Sequence, residues 1–277
     1  MNMPIRDVNL YVKVTGQGAP LLLMHGGPGL DHTSLLPLQA LADQFTLIYY
    51  DQRCNGRSNG AQVSTMTFDN LTADADALRQ ALGFGHWAVL GHSFGGQVAL
   101  EYALRYPQSL SHLILMDTGA DHWWVQHNAP EILAKRGYSS AAVQAARRFF
   151  SGRLTPDEFM PTVMKFLRAY FYKLSPLRMV WEMLFGPPVK HRPEALIFGY
   201  SQLLNGWSVM DRLSQIQTPA LVLAGRSDFL FPPEHQAILA EHLPHAQLEL
   251  IERAGHLPQS EQTVEVIQLL RRFLAPA

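Results

Sequence analysis

Gly91-His92-Ser93-Phe94-Gly95 is the stretch that decides the fold, and it lies between the apolar run 87–90 and a helix-like segment that continues to Arg105. A G-x-S-x-G run between a strand and a helix is typical of a sharp turn that carries a reactive serine. The glycines relieve crowding in such a turn, and the start of the helix adds a partial positive potential beside the serine. The pattern therefore predicts Ser93 as a nucleophile at the edge of a sheet.

Outside this turn, short apolar runs alternate with segments of helical periodicity. This alternation predicts an α/β fold with a mostly parallel central sheet flanked by helices. Helices are expected at about 71–82, 94–105 and 261–273. The predicted strands lie at residues 10–15, 20–25, 45–51, 87–91, 113–117, 220–225 and 247–252.

The alternation stops between residues 120 and 211, where helix-like pieces are separated by prolines such as Pro130, Pro156 and Pro193. We predict that 120–211 is a helical cap inserted into a core made of 1–119 and 212–277. Additional core helices packed elsewhere are the alternative. Residues 120–215 contain 12 Lys+Arg and 7 Asp+Glu, a formal charge of +5, whereas the whole chain carries −1.

A nucleophilic serine needs a general base and an acid that orients the base. Asp228 follows the apolar run 220–225, and His256 follows the run 247–252. Loops after parallel strands meet at one edge of the sheet, so both side chains are expected beside Ser93. Asp117, at the end of the run 113–117, is an alternative acid.

A second glycine-rich loop, His25-Gly26-Gly27-Pro28-Gly29, follows an early strand. In hydrolases whose nucleophilic serine lies on a G-x-S-x-G turn, the loop after an early strand supplies one of the two backbone N–H donors that stabilise the developing oxyanion. We assign these donors to the N–H groups of Gly27 and Phe94. The rest of the loop and His92 are expected to support the site through hydrogen bonds.

Together with Asp51-Gln52-Arg53 and Gly56-Arg57-Ser58, these motifs resemble the proline iminopeptidase branch of the α/β-hydrolase superfamily. The resemblance covers about 20–120 and 215–275. It implies an α/β-hydrolase fold, a Ser–Asp–His triad at Ser93, Asp228 and His256, a helical cap over the site, and no cofactor.

One departure from that family bears on the substrate. Proline iminopeptidases hold the free amino group of the substrate with glutamates, one directly after the triad aspartate and another in the cap. Here Phe229 follows Asp228, and the cap glutamates are Glu131, Glu158, Glu182 and Glu194. We expect Phe229, Trp123 and Trp124 to line an apolar substrate pocket.

The main prediction is therefore a serine hydrolase that cleaves a small carboxylic ester, a lactone or an activated amide through an acyl-enzyme. The alternatives are an aminopeptidase that releases N-terminal residues, a carbon–carbon bond hydrolase, and a ligand-binding homologue without turnover. The expected partner is a small molecule or a short peptide, and the sequence does not indicate an oligomeric state.

Bulk properties disfavour other classes. With a net charge of −1, the chain lacks the excess of positive charge that is typical of nucleic-acid-binding proteins. No early apolar run is long enough to be a secretory signal or to span a membrane. His122 and His127 are spaced by five and His242 and His245 by three, but neither pair has an adjacent carboxylate-and-His pattern suited to zinc, so no metal is expected. The single cysteine, Cys54, favours a cytoplasmic location.

Overall fold

The computed structural model describes residues 1–175 and 186–275. One eight-stranded sheet has the order β1-β2-β4-β3-β5-β6-β7-β8. The strands are β1 (Asn2–Ile5), β2 (Val8–Thr15), β3 (Ala19–Met24), β4 (Phe45–Tyr50), β5 (Trp87–His92), β6 (Leu110–Met116), β7 (Ala220–Gly225) and β8 (Ala246–Ile251). β2 pairs antiparallel with β1 and β4, and the remaining neighbours are parallel. The prediction of a mostly parallel α/β sheet is confirmed.

The α-helices of the described residues are α1 (Phe68–Ala81), α2 (Phe94–Arg105), α3 (Trp123–Lys135), α4 (Ser140–Phe150), α5 (Phe159–Val163), α6 (Pro193–Phe198), α7 (Pro233–His242), α8 (Pro258–Glu261) and α9 (Thr263–Leu274). A long 3₁₀ segment covers His32–Asp43, and a single π-helical turn covers Gly199–Leu203. Within 1–175 and 186–275, no helix combines the length and the apolar character needed to cross a bilayer.

All seven predicted strands overlap an observed strand, but β1 was not predicted. β1 is four residues long and contains Pro4, and it pairs only with β2 at the edge of the sheet. A proline is tolerated at an edge because the second side of that strand needs no ladder hydrogen bonds. So short a run carries too little periodicity to be recognised in the sequence.

Successive side chains of a strand point to opposite faces of the sheet, and both faces of this sheet are buried. Leu22 of β3 and Val89 of β5 pack with α1, α2 and α7. Their neighbours Leu23 and Leu90 pack with the 3₁₀ segment and α9 on the other face. The two helical layers hold the central strands rigidly, so the loops at their C-terminal ends have a fixed base.

Between β6 and β7, the described residues form helices and no strand. The apolar side chains of these helices form a cluster of their own, which includes Phe149, Phe150 and Phe166. This cluster is continuous with residues 229–231, which directly follow Asp228. The helical segment therefore packs against the loop after β7, at the C-terminal edge of the sheet.

Candidate active site

Ser93 lies in the tight turn between β5 and α2, and its backbone has φ 54° and ψ −120°. Non-glycine residues seldom adopt positive φ, so the surrounding structure must hold this conformation. The Ser93 carbonyl accepts a hydrogen bond from Thr118 Oγ1 at 2.7 Å, and its N–H donates to the Met116 carbonyl at 3.0 Å. A Cβ atom at Gly95 would lie 2.1 Å from the Met24 carbonyl oxygen, so only glycine allows α2 to begin this close to β3.

The structure brings Ser93, His256 and Asp228 together. His256 Nε2 lies 2.9 Å from Ser93 Oγ, and His256 Nδ1 lies 2.8 Å from Asp228 Oδ2. An ionised carboxylate can only accept a hydrogen bond, so Nδ1 carries the proton and its N–H donates a hydrogen bond to Asp228. Nε2 is then the acceptor for the Ser93 hydroxyl. This is the geometry that converts a serine hydroxyl into a nucleophile.

Asp228 is held as an anion at the centre of this arrangement. It is completely buried, and burial alone would raise the pKa of its carboxyl. The charge of His256 and the hydrogen bonds from His256 and from the Leu230 N–H lower that pKa below its ordinary value. An ionised Asp228 would fix the tautomer of His256 and would favour an imidazolium at that position.

The backbone of His256 is held on both sides. Its N–H donates to the Tyr170 carbonyl at 2.8 Å, and its carbonyl lies 2.8 Å from Nε2 of His92. Burial lowers the pKa of His92 to about 3, with a further lowering from the charge of His256, so His92 is neutral and its Nε2–H donates. His92, within the G-x-S-x-G run, thus positions His256. Tyr170 belongs to the helical segment, and no motif in the sequence indicates its role.

The loop after β3 is fixed by His25. Its Nε2 accepts from the Gln52 N–H at 3.1 Å, so the Nδ1–H donates to the Gly26 carbonyl at 3.0 Å. A trans peptide is planar with C=O and N–H on opposite sides, so holding the Gly26 carbonyl directs the Gly27 N–H the other way. Gly27 has φ 60°, and a Cβ at Gly26 would lie 3.0 Å from Ser93 Cβ. The Gly26–Gly27 peptide therefore lies directly against the serine turn.

The outer part of this loop is held by the two remaining motifs. Gly29 N–H donates to Asn55 Oδ1, and the Gly29 carbonyl accepts from the Arg192 N–H at 2.7 Å. Pro28 packs against Gly199 of the π-helical turn.

Asp51 accepts hydrogen bonds from His32 Nδ1 at 2.6 Å and from the Arg57 N–H at 2.8 Å, while buried Arg53 pairs with Asp74. The Asp-Gln-Arg run thus supports the loop from behind and does not contact Ser93.

A small cavity opens beside Ser93. Apart from Ser93, the polar side chains of its lining belong to Gln97, His122 and Tyr200, and none of the described lining residues is a carboxylate. The described lining consists of Ser93, Phe94, Gln97, His122, Val125, Tyr200, Leu204, Leu230 and Phe231. About 10 Å³ is open to the centre of a water molecule, which is room for one water. Tyr200 lies on the π-helical turn, a feature that is frequent at functional sites. An acyl group would enter only if the side chains of this wall move outward.

The three side chains predicted to line the pocket lie elsewhere. Phe229 is fully buried, and its ring packs edge-on against Tyr170 at 5.2 Å within the aromatic cluster. Trp123 is 59% exposed and stacks on His127. Trp124 stacks on His235 and lines a separate surface groove on the outer side of Asp228. Trp123 and Trp124 lie on α3 and Phe229 lies in the loop after β7, and the sequence pattern does not indicate the direction of these side chains. The apolar lining is supplied by Val125, Leu204, Leu230 and Phe231 instead.

The cap glutamates do not reach this cavity in the part of the chain that is described. Glu131 pairs with Arg147, and Glu158 pairs with Arg148 at 2.8 Å, both on the exposed surface. Glu194 is exposed in the first turn of α6. Glu182 lies outside the described residues.

One group of possible metal ligands occurs in residues 1–175 and 186–275. Ligand atoms of Asp117, Asp228 and His256 lie within 4.8 Å of one another, and all three residues are buried. His256 Nδ1 and Asp228 Oδ2 are already joined by the 2.8 Å hydrogen bond. The arrangement is that of an acid–base pair with a second carboxyl behind it.

Comparison with known proteins identifies the family. Residues 19–263 match the family model described as the alpha/beta hydrolase fold. A proline iminopeptidase of Lactobacillus delbrueckii subsp. lactis is 29% identical, over 98% of this chain and 96% of the relative. The crystal structure of a proline iminopeptidase from Mycobacterium smegmatis has a TM-score of 0.77 at 26% identity and covers 99% of this chain and 97% of that one. A thermophilic esterase from Thermogutta terrifontis has a TM-score of 0.71 at 27% identity, covering 99% and 98%.

The model match spans most of the chain, and the relatives align over nearly its whole length. The chain therefore belongs to the α/β-hydrolase fold family, in which it is similar to the proline iminopeptidases.

Proposed function

We propose that this protein is a serine hydrolase that cleaves small, uncharged carboxylic esters, lactones or activated amides through an acyl-enzyme on Ser93. The observation that supports this substrate class is that no carboxylate occurs among the described residues that line the cavity beside Ser93. The proposed machinery is Ser93 as nucleophile, His256 as general base and Asp228 as the orienting acid. No cofactor enters the proposed reaction.

In the first half-reaction, Ser93 Oγ attacks the substrate carbonyl carbon while its proton passes to His256 Nε2. The carbonyl oxygen becomes an oxyanion, and we assign its donors to the N–H groups of Phe94 and Gly27. As the first residue of α2, Phe94 has no partner for its N–H within the helix, and the helix dipole favours negative charge there. Losing one such donor typically costs about 10²–10³ in kcat.

Collapse of the tetrahedral intermediate breaks the bond to the leaving group, which takes the proton from His256. An ester on Ser93 remains. Water then enters, His256 removes its proton, and the second intermediate collapses to the free acid and the regenerated Ser93 hydroxyl. Proton and charge are restored after each cycle, so the reaction needs nothing beyond water.

We propose that residues 120–211 act as a cap over this site. Its side chains His122, Val125 and Tyr200 form one wall of the cavity, and Tyr170 holds the backbone of His256. The neutral Gln97, His122 and Tyr200 suit a substrate that needs hydrogen bonds without a counter-charge. Burial lowers the pKa of His122 to about 4 and raises that of the Tyr200 hydroxyl, so both are uncharged near neutral pH.

A proline iminopeptidase activity is the second candidate, and the curated relatives favour it. The relatives from Lactobacillus delbrueckii and Saccharolobus solfataricus carry that name at 29% and 26% identity. An aminopeptidase must hold a substrate ammonium group, which in a buried site needs an anionic partner. Phe229 does not supply one, and neither do the described residues of the cavity lining; this is why we place neutral substrates first.

Parallel turnover of p-nitrophenyl butyrate, a small lactone and proline p-nitroanilide tests this choice, with Ser93→Ala as the blank. We expect the ester or the lactone to be cleaved with a kcat/KM at least about 100-fold above that of the arylamide, because an unpaired buried charge costs several kcal/mol. Strong arylamide turnover with negligible turnover of both neutral substrates would reverse the order of the two candidates.

A further inference from the structure

Asp117 lies directly behind the triad acid and is not used by the mechanism above. It follows β6 with φ 45°, and its side chain is completely buried. Oδ1 accepts a hydrogen bond from the Gly225 N–H at 2.9 Å. No group of the described chain donates a hydrogen bond to Oδ2, and carboxyl oxygens of Asp117 and Asp228 lie within 4.8 Å of each other.

Two buried carboxyl groups in contact cannot both be ionised at neutral pH, because like charges in a dry site repel strongly. Asp228 accepts hydrogen bonds from His256 and from the Leu230 N–H, whereas Asp117 accepts one, from Gly225. Burial and the charge of Asp228 hold the pKa of Asp117 well above its ordinary value, and Glu261 adds to this effect. The proton therefore resides on Asp117.

We propose that Asp117 is a positioning residue: as a neutral carboxylic acid it donates its O–H to the carboxylate of Asp228 and so fixes the acid that orients His256. With this bond Asp228 has a donor from Asp117 in addition to those from His256 and Leu230. The carboxylate cannot then rotate away from Nδ1 of His256. Because this inference rests on the proposed role of Ser93, its test must include a measurement that does not depend on catalytic turnover.

The conservative variant Asp117→Asn separates positioning from mere space filling. An asparagine amide can donate N–H to Asp228 and accept from the Gly225 N–H, and asparagine tolerates the positive φ at this position. Asp117→Leu has the same number and branching of side-chain heavy atoms but cannot donate, and it avoids the strain that a β-branched side chain would add. We expect Asp117→Asn to keep kcat within about threefold of the parent. Asp117→Leu should lose about 10- to 100-fold in kcat with little change in KM, the range for one hydrogen bond to a charged group.

Infrared difference spectroscopy reads the proton directly. The parent at neutral pH should show the C=O stretching band of a protonated carboxylic acid, and the band should be absent in Asp117→Asn. A matched control is Asp76→Asn, because Asp76 is also buried but hydrogen bonds, chiefly from Arg79, Gln80 and Tyr102, keep its pKa low against the effect of burial. That control should leave the band unchanged. The band should also persist in Ser93→Ala, where no turnover is needed, and in chelator-treated protein.

Two results would overturn the proposal. One is the absence of an acid band that depends on Asp117, or its appearance only after a chelator removes a metal ion. The other is an Asp117→Asn enzyme as impaired as Asp117→Leu, or a Leu variant with full kcat. If Asp117→Leu fails to fold, the spectra of the parent and of Asp117→Asn still decide the question. Turnover retained in Ser93→Ala would refute the proposed function and leave the infrared result readable.

Discussion

Replacing His25 by alanine should slow catalysis even though His25 does not touch the substrate. In the parent, His25 Nδ1–H holds the Gly26 carbonyl at 3.0 Å, and the planar trans peptide then directs the Gly27 N–H to the opposite side. Without this hydrogen bond, no side chain fixes the orientation of the Gly26–Gly27 peptide. The backbone of Gly27 can then change conformation easily, because glycine adopts positive and negative φ about equally well. One of the two proposed oxyanion donors would then be poorly aligned.

The magnitude follows from two separate losses. Complete loss of an oxyanion donor costs about 10²–10³ in kcat, so a donor that is misaligned part of the time should cost about 10- to 100-fold. The Gln52 N–H, which His25 Nε2 accepts at 3.1 Å, would be left buried without a partner. An unsatisfied buried donor costs about 1–3 kcal/mol, so unfolding free energy should fall by that amount as well.

The assay is steady-state hydrolysis of p-nitrophenyl butyrate together with denaturant unfolding. Tyr102→Phe is a suitable control, because it removes a buried hydrogen bond of 3.0 Å to Asp76 that lies away from Ser93. The control should lose stability and keep kcat. A His25→Ala enzyme that loses stability but keeps kcat within about twofold would refute the link between His25 and the Gly27 N–H.

The remaining predictions concern the base, the aromatic cluster and a buried histidine. His256→Ala should lower kcat by several orders of magnitude at unchanged fold, as measured by ester turnover and circular dichroism; a modest loss would mean that another group takes the Ser93 proton. Phe229→Glu should lower the unfolding free energy by at least about 3 kcal/mol in denaturant titrations and should not create arylamide turnover, because a fully buried ring is replaced by an unpaired charge. Since burial lowers the pKa of His92 to about 3 from 6.5, the unfolded chain binds a proton that the folded chain does not between these values, and stability falls as pH drops through this window. His92→Gln should reduce that slope by about 1.4 kcal/mol per pH unit in unfolding titrations between about pH 6 and 4, and an unchanged slope would count against a neutral His92.

Much of the fold could be predicted from sequence because the decisive features are local. Several of the seven predicted strands are apolar throughout, and the turn at Ser93 has a strict requirement for glycine. The convergence of Ser93, Asp228 and His256 follows from topology, since residues after neighbouring parallel strands meet at one edge. The sequence predicts Asp228 as the acid and leaves Asp117 as the alternative, because both follow a strand at that edge. In the structure, His256 Nδ1 lies 2.8 Å from Asp228 Oδ2.

The pocket was the least predictable part. Trp123 and Trp124 are adjacent on α3, yet one is exposed and the other stacks on His235. Helical periodicity indicates that such residues occupy different faces but not which face meets the substrate. Tyr200 reaches the cavity from a π-helical turn, whose register a 3.6-residue period does not describe. The role of His25 depends on the tautomer that Gln52 imposes from 27 residues away, a contact with no local sequence signal.

Mass spectrometry of the enzyme during turnover of p-nitrophenyl butyrate tests the nucleophile most directly. The account predicts a transient butyryl adduct on the peptide that contains Ser93, formed with a burst of nitrophenolate, and neither adduct nor burst in a folded Ser93→Ala variant. An adduct on a different residue, or undiminished turnover by Ser93→Ala, would contradict it.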